Sequence, residues 1–362
     1  MVTRATMRWA MGCVTLSAVS LLVSSARAEL IEVQAQQARC DDLDLDSFAS
    51  ALGRLHGILQ TSKRPAMHIG SRTVSTAEYA QRTVLPLLDA AGSGDRDRLC
   101  AAIARLTWWR DAQLPTNKLL FSAYYTPRVP GSLTRDERFR FPLYKRPPGT
   151  AANRYDTAQI MAGALANQGL ELIWLEDPYD VLALHVEGSA EVQLPDGSIF
   201  AVGTNGTNGK PYSNVSKLLM DDGKLPRGAP PATTKPGSPR ARAYFAAHPE
   251  DLAKYWGRNP HYVFWKQVAF AGGGKLGALT NGRSLAVDPS VYPLGTLVLM
   301  RPQRAFPGGD GTPARLAISM DTGAAIKGAG RIDVYFGDDA STSAQAVAQG
   351  SVEGEAYVLL AR

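Results

Sequence analysis

Two aspartates near the C-terminus lie in a strand–turn–strand segment, and their carboxyl groups are of the type that acid–base chemistry uses. In AISMDTGAAIKGAGRIDVYFG (317–337), an apolar strand runs into Asp321, a glycine-rich turn follows, and a second predicted strand carries Asp333. Alternation places Ile332, Val334 and Phe336 on one face of that strand, so Asp333 points to the other face. Asp is uncommon inside strands. The pattern therefore predicts either a polar cleft around Asp333 or a surface strand with an acid on its solvated side.

Four further side chains are candidates for ligand contact. Asp288, in LAVDP, is the third acid of this region, and capping of the turn at Pro289 is an equally good interpretation. Lys327 lies in the turn between the two aspartates and either contacts a substrate or is simply solvated. Tyr124 and Tyr125 could stack on sugar rings; the alternative is that one packs in the core and the other is exposed.

The sequence offers no pattern for a metal or a cofactor. The five histidines have no ligand spacing, which predicts that no metal is bound; they are His56, His68, His185, His248 and His261. The segment GTNGTNGK (203–210) superficially resembles a phosphate-binding loop. It has one residue too many between its glycines, and proline follows its lysine, so we expect a turn-rich loop and no cofactor.

The composition is that of an exported globular protein. The 362 residues are 45% apolar and 20% charged, which excludes wholesale disorder, a collagen-like structure and a multi-span membrane protein. Residues 1–28 predict a signal peptide, because a basic start and an apolar segment precede Ala26-Arg27-Ala28. Its removal would take away three arginines and lower the net charge from +6 to +3. Such a mild excess gives no reason to expect a nucleic-acid partner.

The three cysteines bear on the compartment and on anchoring. Cys13 lies inside the predicted signal, before most of its apolar segment, so we expect export to the periplasm without a lipid anchor; acylation of Cys13 is the alternative. Cys40 and Cys100 remain in the mature chain. Two cysteines of an exported protein often pair, but the sequence does not give their separation in space, so their pairing stays open.

Helices are predicted first along the chain and strands later. Apolar spacing predicts a helix over 48–59, and further helices are expected over 75–91, 95–106 and 240–256. Strands are expected at 170–175, 181–186, 191–194, 285–287, 296–300, 316–320, 331–336 and 356–360. The segment 226–239 contains five prolines and predicts a linker or an exposed loop.

Several blocks, in one collinear order, resemble the lytic murein transglycosylase A family. They are FSAYYTPRVPGSLTRDERFRFPLYKRP (121–147), WLEDPYDVLALHVEGSAEVQLPDGS (174–198), NGTNGKPYSNVSKLL (205–219), NPHYVFWK (259–266), GRSLAVDPSVYPLGTLVLM (282–300) and the segment 317–337. The last two look like the family's C-terminal three-aspartate domain. Two positions depart from the family pattern: Thr126 stands where an acid is usual, and Ala324 stands where a glycine is usual.

The resemblance implies a fold and a reaction. The fold would be mainly β with N-terminal helices: a double-psi β-barrel domain built from both chain ends, with a smaller β domain inserted. The change of composition and the proline-rich stretch place the boundaries near 127 and 240, so the barrel domain is expected over 29–127 and 240–362 and the inserted domain over 128–239. The reaction would cut the β-1,4 bond between N-acetylmuramic acid and N-acetylglucosamine in peptidoglycan and leave a 1,6-anhydro end. Asp333 matches the catalytic acid, and Asp321 matches its supporting aspartate, which could raise the pKa of Asp333.

The resemblance also implies partners, and two other functions remain open. The expected partners are glycan strands and other cell-wall enzymes, the chain is expected to be a monomer, and family members are often associated with the outer membrane. One alternative is a hydrolase that uses both carboxyls, since ordinary glycosidases need two. The other is a non-catalytic peptidoglycan-binding protein.

Overall fold

The computed structural model describes residues 29–35, 40–114, 118–226, 239–269, 271–323, 326–338 and 340–362. The predicted signal peptide, Ala324 and nearly all of the proline-rich segment lie outside these ranges. The strands are β1 (Leu30–Val33), β2 (Met67–Ile69), β3 (Arg72–Val74), β4 (Thr107–Asp111), β5 (Leu119–Tyr124), β6 (Arg128–Ser132), β7 (Phe141–Tyr144), β8 (Glu171–Leu175), β9 (Ser189–Gln193), β10 (Ile199–Thr207), β11 (Val263–Gln267), β12 (Gly273–Gly274), β13 (Gly277–Ala278), β14 (Ser284–Ala286), β15 (Leu297–Pro302), β16 (Arg315–Asp321), β17 (Arg331–Tyr335) and β18 (Val352–Leu360).

The helices are mostly short. They are α1 (Leu45–Thr61), α2 (Thr76–Tyr79), α3 (Leu85–Gly92), α4 (Arg96–Ala104), α5 (Thr157–Gln159), α6 (Pro178–Glu187), α7 (Val215–Asp221), α8 (Pro239–Ala247), α9 (Pro249–Gly257) and α10 (Ala340–Gln349). A π-helical turn at Ala80–Val84 joins α2 to α3, and a second one at Ile160–Ala164 follows α5. A 3-10 helix spans Gly149–Asn153. None of the helices in the described ranges is both long and apolar enough to cross a membrane.

Six strands close into a barrel. Their order is β18-β15-β16-β14-β17-β5, and β5 pairs again with β18 to complete the ring. Strands β4 and β1 extend the sheet from β18. Two pairs of neighbouring strands in the ring are parallel, β14 with β16 and β5 with β17. The other neighbouring pairs are antiparallel. The expected fold class, mainly β with helices at the N-terminus, is confirmed at this level.

Helices α1 to α4 share the hydrophobic core of the barrel. Helix α1 begins where Asp44 accepts a hydrogen bond from the Ser47 amide (2.6 Å). The predicted apolar stripe is buried in it, with Phe48 and Leu52 among the fully buried residues. A disulfide joins Cys40, before α1, to Cys100 in α4, with the two Cα atoms 5.4 Å apart. The pairing that the sequence left open is therefore present.

A second sheet with its own hydrophobic core is formed by residues that lie, in sequence, between the barrel strands β5 and β14. The strand order is β11-β10-β9-β6-β8-β7, and a bridge from Lys145 to Trp265 brings the end of β7 back to β11. The second core runs from Val129 to Trp265 and includes residues of α8 and α9. We therefore propose that the inserted domain ends near Gln267, beyond the boundary at 240 that the composition suggested.

Two predicted elements differ in the structure. The segment 181–186, expected as a strand, belongs to α6, because Asp177 caps the first turn by accepting from the Tyr179 amide (2.8 Å) and Pro178 supplies a preset first residue. A short, wholly apolar run does not distinguish a buried strand from a buried helix. The helix expected over 240–256 is two helices, α8 and α9, because Pro249 cannot continue α8 and instead begins α9.

Candidate functional site

Four residues form a row across four neighbouring barrel strands. In the sheet register, Ala286 of β14 is paired with both Asp321 of β16 and Asp333 of β17, and Asp333 is paired with Ser122 of β5. Directly paired residues of neighbouring strands project to the same face of a sheet. The two aspartates predicted from the sequence therefore lie on either side of one small residue, Ala286.

Asp333 is nine-tenths buried, at 9% exposure, and its carboxylate is held by two donors. The Ser122 hydroxyl donates to Oδ1, and Arg331 donates from Nε to Oδ1 (3.1 Å) and from a terminal nitrogen to Oδ2 (3.2 Å). Arg331 Nε also reaches Ser122 Oγ at 2.8 Å, so the three groups form one network. The surface-strand interpretation is excluded: Ile332, Val334 and Phe336 do fill the barrel core, but Asp333 lies in a polar pocket.

Asp321 is half-buried at the end of β16. Burial raises the pKa of its carboxyl, and the effect is opposed by hydrogen bonds from the Thr322 and Lys275 amides and by the Lys275 ammonium. Asp321 thus has a chemical environment different from that of Asp333: backbone amides and a lysine surround it, whereas a hydroxyl and an arginine hold Asp333.

The two tyrosines at 124 and 125 have different surroundings. The Tyr124 hydroxyl is buried without a hydrogen bond of standard geometry, yet it lies close enough to the aspartates for burial first, and then the charges of Asp321 and Asp333, to raise its pKa. Its ring packs on that of Tyr335, with centroids 5.2 Å apart. Tyr125 lies nearer the inserted domain, where burial and the charge of Glu187 raise its pKa to about 12.

Thr126, which departs from the family pattern, is buried and bonded to Tyr335. Its hydroxyl lies 3.0 Å from the Tyr335 hydroxyl. The Thr126 amide also donates to the Gly337 carbonyl (2.9 Å), which fixes the chain where it leaves β5. The side chain at this position therefore supports an aromatic residue of the site.

A hairpin of β12 and β13 lies over the aspartates and requires glycine at two points. At Gly272, where φ is +67°, a Cβ atom would lie 2.5 Å from the Tyr335 hydroxyl. At Gly274, a Cβ atom would lie 2.8 Å from the Met320 carbonyl and 3.1 Å from the Asp321 Cβ. Only glycine permits this approach of backbone to the site.

Asp288 and Lys327 do not join the row of aspartates. Asp288 accepts from the Ser290 amide (3.0 Å) and hydroxyl (2.7 Å), and from the Gly328 amide (2.8 Å). Although burial acts in the opposite direction, these bonds and the nearby Lys327 charge lower the pKa of Asp288. Asp288 thus caps its own turn and ties down the glycine-rich segment, and Lys327 is exposed beside it.

A cleft of about 270 Å³ runs between the second sheet and the hairpin. It is lined by Gly188, Ser189, Gly203, Thr204, Val268, Ala269 and Gly273. No group of three or more His, Cys, Asp or Glu side chains suited to a metal ion occurs in the described part of the chain.

Sequence reasoning missed Ser122 and Arg331. Arg331 could have been found, because it precedes Asp333 by two residues in a strand and so shares its face. Ser122 could not, because its contact with Asp333 depends on the parallel pairing of β5 with β17, which are far apart in sequence.

The chain matches two family models. One is the MltA specific insert domain, over residues 120–266, and the other is the 3D domain, over residues 283–360. Among curated relatives, the membrane-bound lytic murein transglycosylase A of Escherichia coli K12 is 30% identical over 226 residues, which is 60% of this chain. The match spans 59% of that relative's length.

Solved structures extend the likeness to nearly the whole chain. A membrane-bound lytic murein transglycosylase from Agrobacterium tumefaciens superposes with a TM-score of 0.70 at 26% identity, covering 92% of this chain and 98% of that one. E. coli MltA with bound chitohexaose superposes with a TM-score of 0.71 at 22% identity, covering 92% of this chain and 95% of that one, and shares the fold. Both domain models match the chain, one after the other, and the strands of the 3D-domain match lie in the closed barrel. The chain therefore belongs to the MltA family.

Proposed function

We propose that this protein is a peptidoglycan lytic transglycosylase. It would cleave the β-1,4 bond between N-acetylmuramic acid and N-acetylglucosamine and leave a 1,6-anhydromuramic acid end. The observation that carries the proposal is the buried Asp333, which is held by Ser122 and Arg331 at one point of the barrel, in a chain of the MltA family.

The reaction needs one carboxyl group that acts twice. Asp333 first protonates the leaving glycosidic oxygen and then, as a carboxylate, takes the proton of the muramic acid C6 hydroxyl as that oxygen attacks the anomeric carbon. Oδ1 receives two donors and Oδ2 receives one, at 3.2 Å, so Oδ2 is the oxygen better placed to exchange a proton with substrate. Ser122 and Arg331 would fix the rotation of the carboxyl group and so present that oxygen in one direction.

Asp321 would act in support. It lies across Ala286 from Asp333, and amides and Lys275 bind its oxygens. A negative charge on Asp321 would favour the positive charge that develops at the anomeric carbon.

The substrate strand would lie in the cleft between the hairpin and the second sheet. Sugar-binding sites combine an aromatic face with a few polar groups. Tyr124, the last residue of the strand that carries Ser122, and Tyr125, directly after it, are the candidate contacts. Lys327, exposed beside Asp288, would contact only a sugar bound farther along the glycan strand. We also propose that the barrel has the double-psi connectivity. A further proposal concerns location: the chain would work in the periplasm, as a monomer and without a lipid anchor at Cys13. The word "membrane-bound" in the relatives' names fits a place in the cell envelope.

The deciding experiment is product analysis. Purified murein sacculi are digested with the mature chain, and the soluble fragments are examined by mass spectrometry. Anhydro ends, lighter than reducing ends by one water, are the expected result. Reducing ends would contradict the proposal and identify a hydrolase. Binding to sacculi without released fragments would leave only a binding protein.

One observation keeps the hydrolase as a second candidate. Asp321 and Asp333 flank Ala286 in the sheet register, so two carboxyl groups face one site. Inverting glycosidases use carboxyl groups about 6.5–9.5 Å apart. The surroundings of Asp321 favour the lytic reaction, because the Thr322 and Lys275 amides already engage its carboxylate, which makes it a poorer base for activating a water.

A further inference from the structure

The inserted domain contains a groove that the reaction at Asp333 does not use. It has a volume of about 970 Å³ and lies between strands β7 and β8 on one side and the π-helical turn 160–164 with α9 on the other. None of its lining residues belongs to the barrel. They include Arg135, Arg140, Phe141, Tyr144, Trp174 and Trp256.

The floor of the groove is aromatic and includes an unused donor. Tyr144 and Trp256 are buried, while Phe141 and Trp174 are half-buried. Trp256 Nε1 is buried and has no hydrogen-bond acceptor among the residues that the structure describes. Because this nitrogen is inaccessible to solvent, the groove presents the ring of Trp256 to a ligand and not its N–H.

The wall of the groove carries two arginines whose charge is not neutralised. Arg135 stacks over the Trp174 ring at 5.9 Å, and Arg140 stacks over the Phe141 ring at 5.4 Å. Both side chains are exposed, and neither forms an ion pair within the described ranges. Stacking on a ring fixes the plane of a guanidinium group and leaves its N–H edges free to bind a carboxylate.

The acids of the groove, in contrast, are already engaged. Glu176 pairs with Arg138 (2.8 Å), and Asp177 pairs with Arg242 (2.9 Å). Glu171 accepts a hydrogen bond from the Asn167 amide (2.9 Å). Arg135 and Arg140 are therefore the charged side chains of the groove that have neither an ion pair nor a hydrogen bond among the described residues.

We propose that this groove binds the carboxylate-bearing stem peptide of the murein strand, with Arg135 and Arg140 as the carboxylate ligands. The proposal rests on the proposed function, because it supposes that murein is the substrate. A stem peptide has several carboxylates and little apolar surface, which matches free arginines over half-buried rings. Glycan cutting at the barrel and peptide recognition on the inserted domain would then occur on one chain.

The test uses the mature chain with Asp333→Asn, so that the probe is not consumed. The probe is a soluble disaccharide–tetrapeptide prepared from murein, titrated by calorimetry, and an N-acetylglucosamine oligomer without carboxylates is the comparison. Arg135→Gln with Arg140→Gln should weaken binding of the peptide-bearing probe at least tenfold and leave binding of the oligomer unchanged. The matched control is Arg154→Gln: this exposed arginine also stacks on a ring, Tyr155 at 5.6 Å, but lies outside the groove.

The outcomes separate this proposal from the proposed function. Equal affinity of the double variant and the Arg154→Gln control for the probe would overturn the groove assignment, even if wild-type protein releases anhydro ends. An equal loss of binding to the uncharged oligomer would also overturn it, because the groove would then recognise sugar. The substituted arginines are exposed, so unchanged thermal unfolding of all variants is expected and verifies that the fold is intact.

Discussion

At the scale of single residues, the site depends on how one carboxylate is held. The alternation of apolar residues predicted that Asp333 faces away from Ile332, Val334 and Phe336, and the structure confirms this. Local pattern could not reveal that Ser122 lies beside it, since strand pairing across an entire inserted domain brings them together. The sequence thus indicates the carboxyl group that we propose as the reacting group, and the fold supplies the groups that orient it.

The first prediction is that Asp333→Asn abolishes turnover and leaves the fold intact. The amide is nearly isosteric, so packing of the barrel should not change, but it can neither protonate the leaving oxygen nor accept the C6 hydroxyl proton. General acid–base assistance is worth about 10²–10⁴-fold, and one group serves both steps here, so the rate should fall by about 10⁴-fold or more. Turnover of sacculi by anhydro-end release, together with sacculus binding, measures this.

Two companion variants make that result interpretable. Asp321→Asn should lower the rate less, because Asp321 supports the site and does not transfer the proton. Asp196→Asn, at an exposed turn of the inserted domain, should leave the rate unchanged. If Asp333→Asn retains more than about a tenth of the wild-type rate, the assignment of a single aspartate is wrong. If Asp321→Asn is equally inactive, the two carboxyls work as a pair.

At the scale of elements, the reliability of prediction followed the strength of local signals. Helix α1 was predicted because its apolar spacing is helical and an acid caps its start. Helix α6 was predicted as a strand because its middle is apolar all round, although Asp177-Pro178 before it is a helix-start signal. Strands β1 to β4 were not predicted, because they are short and do not alternate strictly. Helix α10 was also missed, although Asp339 precedes it and Gly350 follows it, which are helix start and stop signals.

Two buried ion pairs join the segment before α1 to the strands of the site. Arg283, just before β14, donates to both oxygens of Asp41 at 2.6 and 2.8 Å, and Arg315, in β16, pairs with Asp42. Each of these four side chains is at most 1% exposed. Asp41 also accepts from the Leu316 amide (3.1 Å), so the pair ties the start of β16 to the segment that the disulfide holds.

The second prediction concerns this connection. Arg283→Met should lower the free energy of unfolding by about 3–5 kcal/mol, because it leaves the Asp41 carboxylate buried and uncompensated. Arg82→Met is the control: its ion pair with Glu78 (3.1 Å) is exposed, and its loss should cost less than about 1 kcal/mol. Urea unfolding of both variants measures the difference. The double variant Asp41→Leu with Arg283→Met should be more stable than Arg283→Met alone; equal or lower stability would contradict a penalty that comes from the orphaned charge.

At the scale of the whole molecule, two cores are stabilised by different means. The barrel core contains the disulfide and the buried ion pairs. The second core contains His185, whose ring lies 4.4 Å from Tyr262 and 5.3 Å from Trp256. The closure of the barrel by β5 and β18, from opposite ends of the chain, could not be read from any local pattern; only the resemblance to a family with an inserted domain predicted such an arrangement.

Because burial favours the neutral form of the half-buried His185, whose Nε2 is inaccessible to solvent, acid should destabilise the second core. Burial lowers the pKa of His185 to about 3, and the Val263 amide donates to its Nδ1 at 3.3 Å, which only the unprotonated nitrogen can accept. The unfolded chain, with a histidine pKa of about 6.5, binds a proton below that pH while the native chain does not. Stability from this group is therefore complete above about pH 6.5 and is lost as the pH falls from there toward about 3.

The third prediction is the size of the stability loss that protonation of the unfolded chain at His185 causes in this pH range. Between pH 7.5 and pH 5.0, His185 should account for a loss of about 2 kcal/mol in the free energy of unfolding of the inserted domain. His185→Gln keeps an acceptor for the Val263 amide but does not titrate, so its unfolding should depend less on pH by about that amount. Urea unfolding followed by tryptophan fluorescence at the two pH values measures this, with His248→Gln, a half-exposed histidine of the same domain, as the control. If His185→Gln and His248→Gln lose the same stability between the two pH values, the neutral histidine is not what makes this core sensitive to acid.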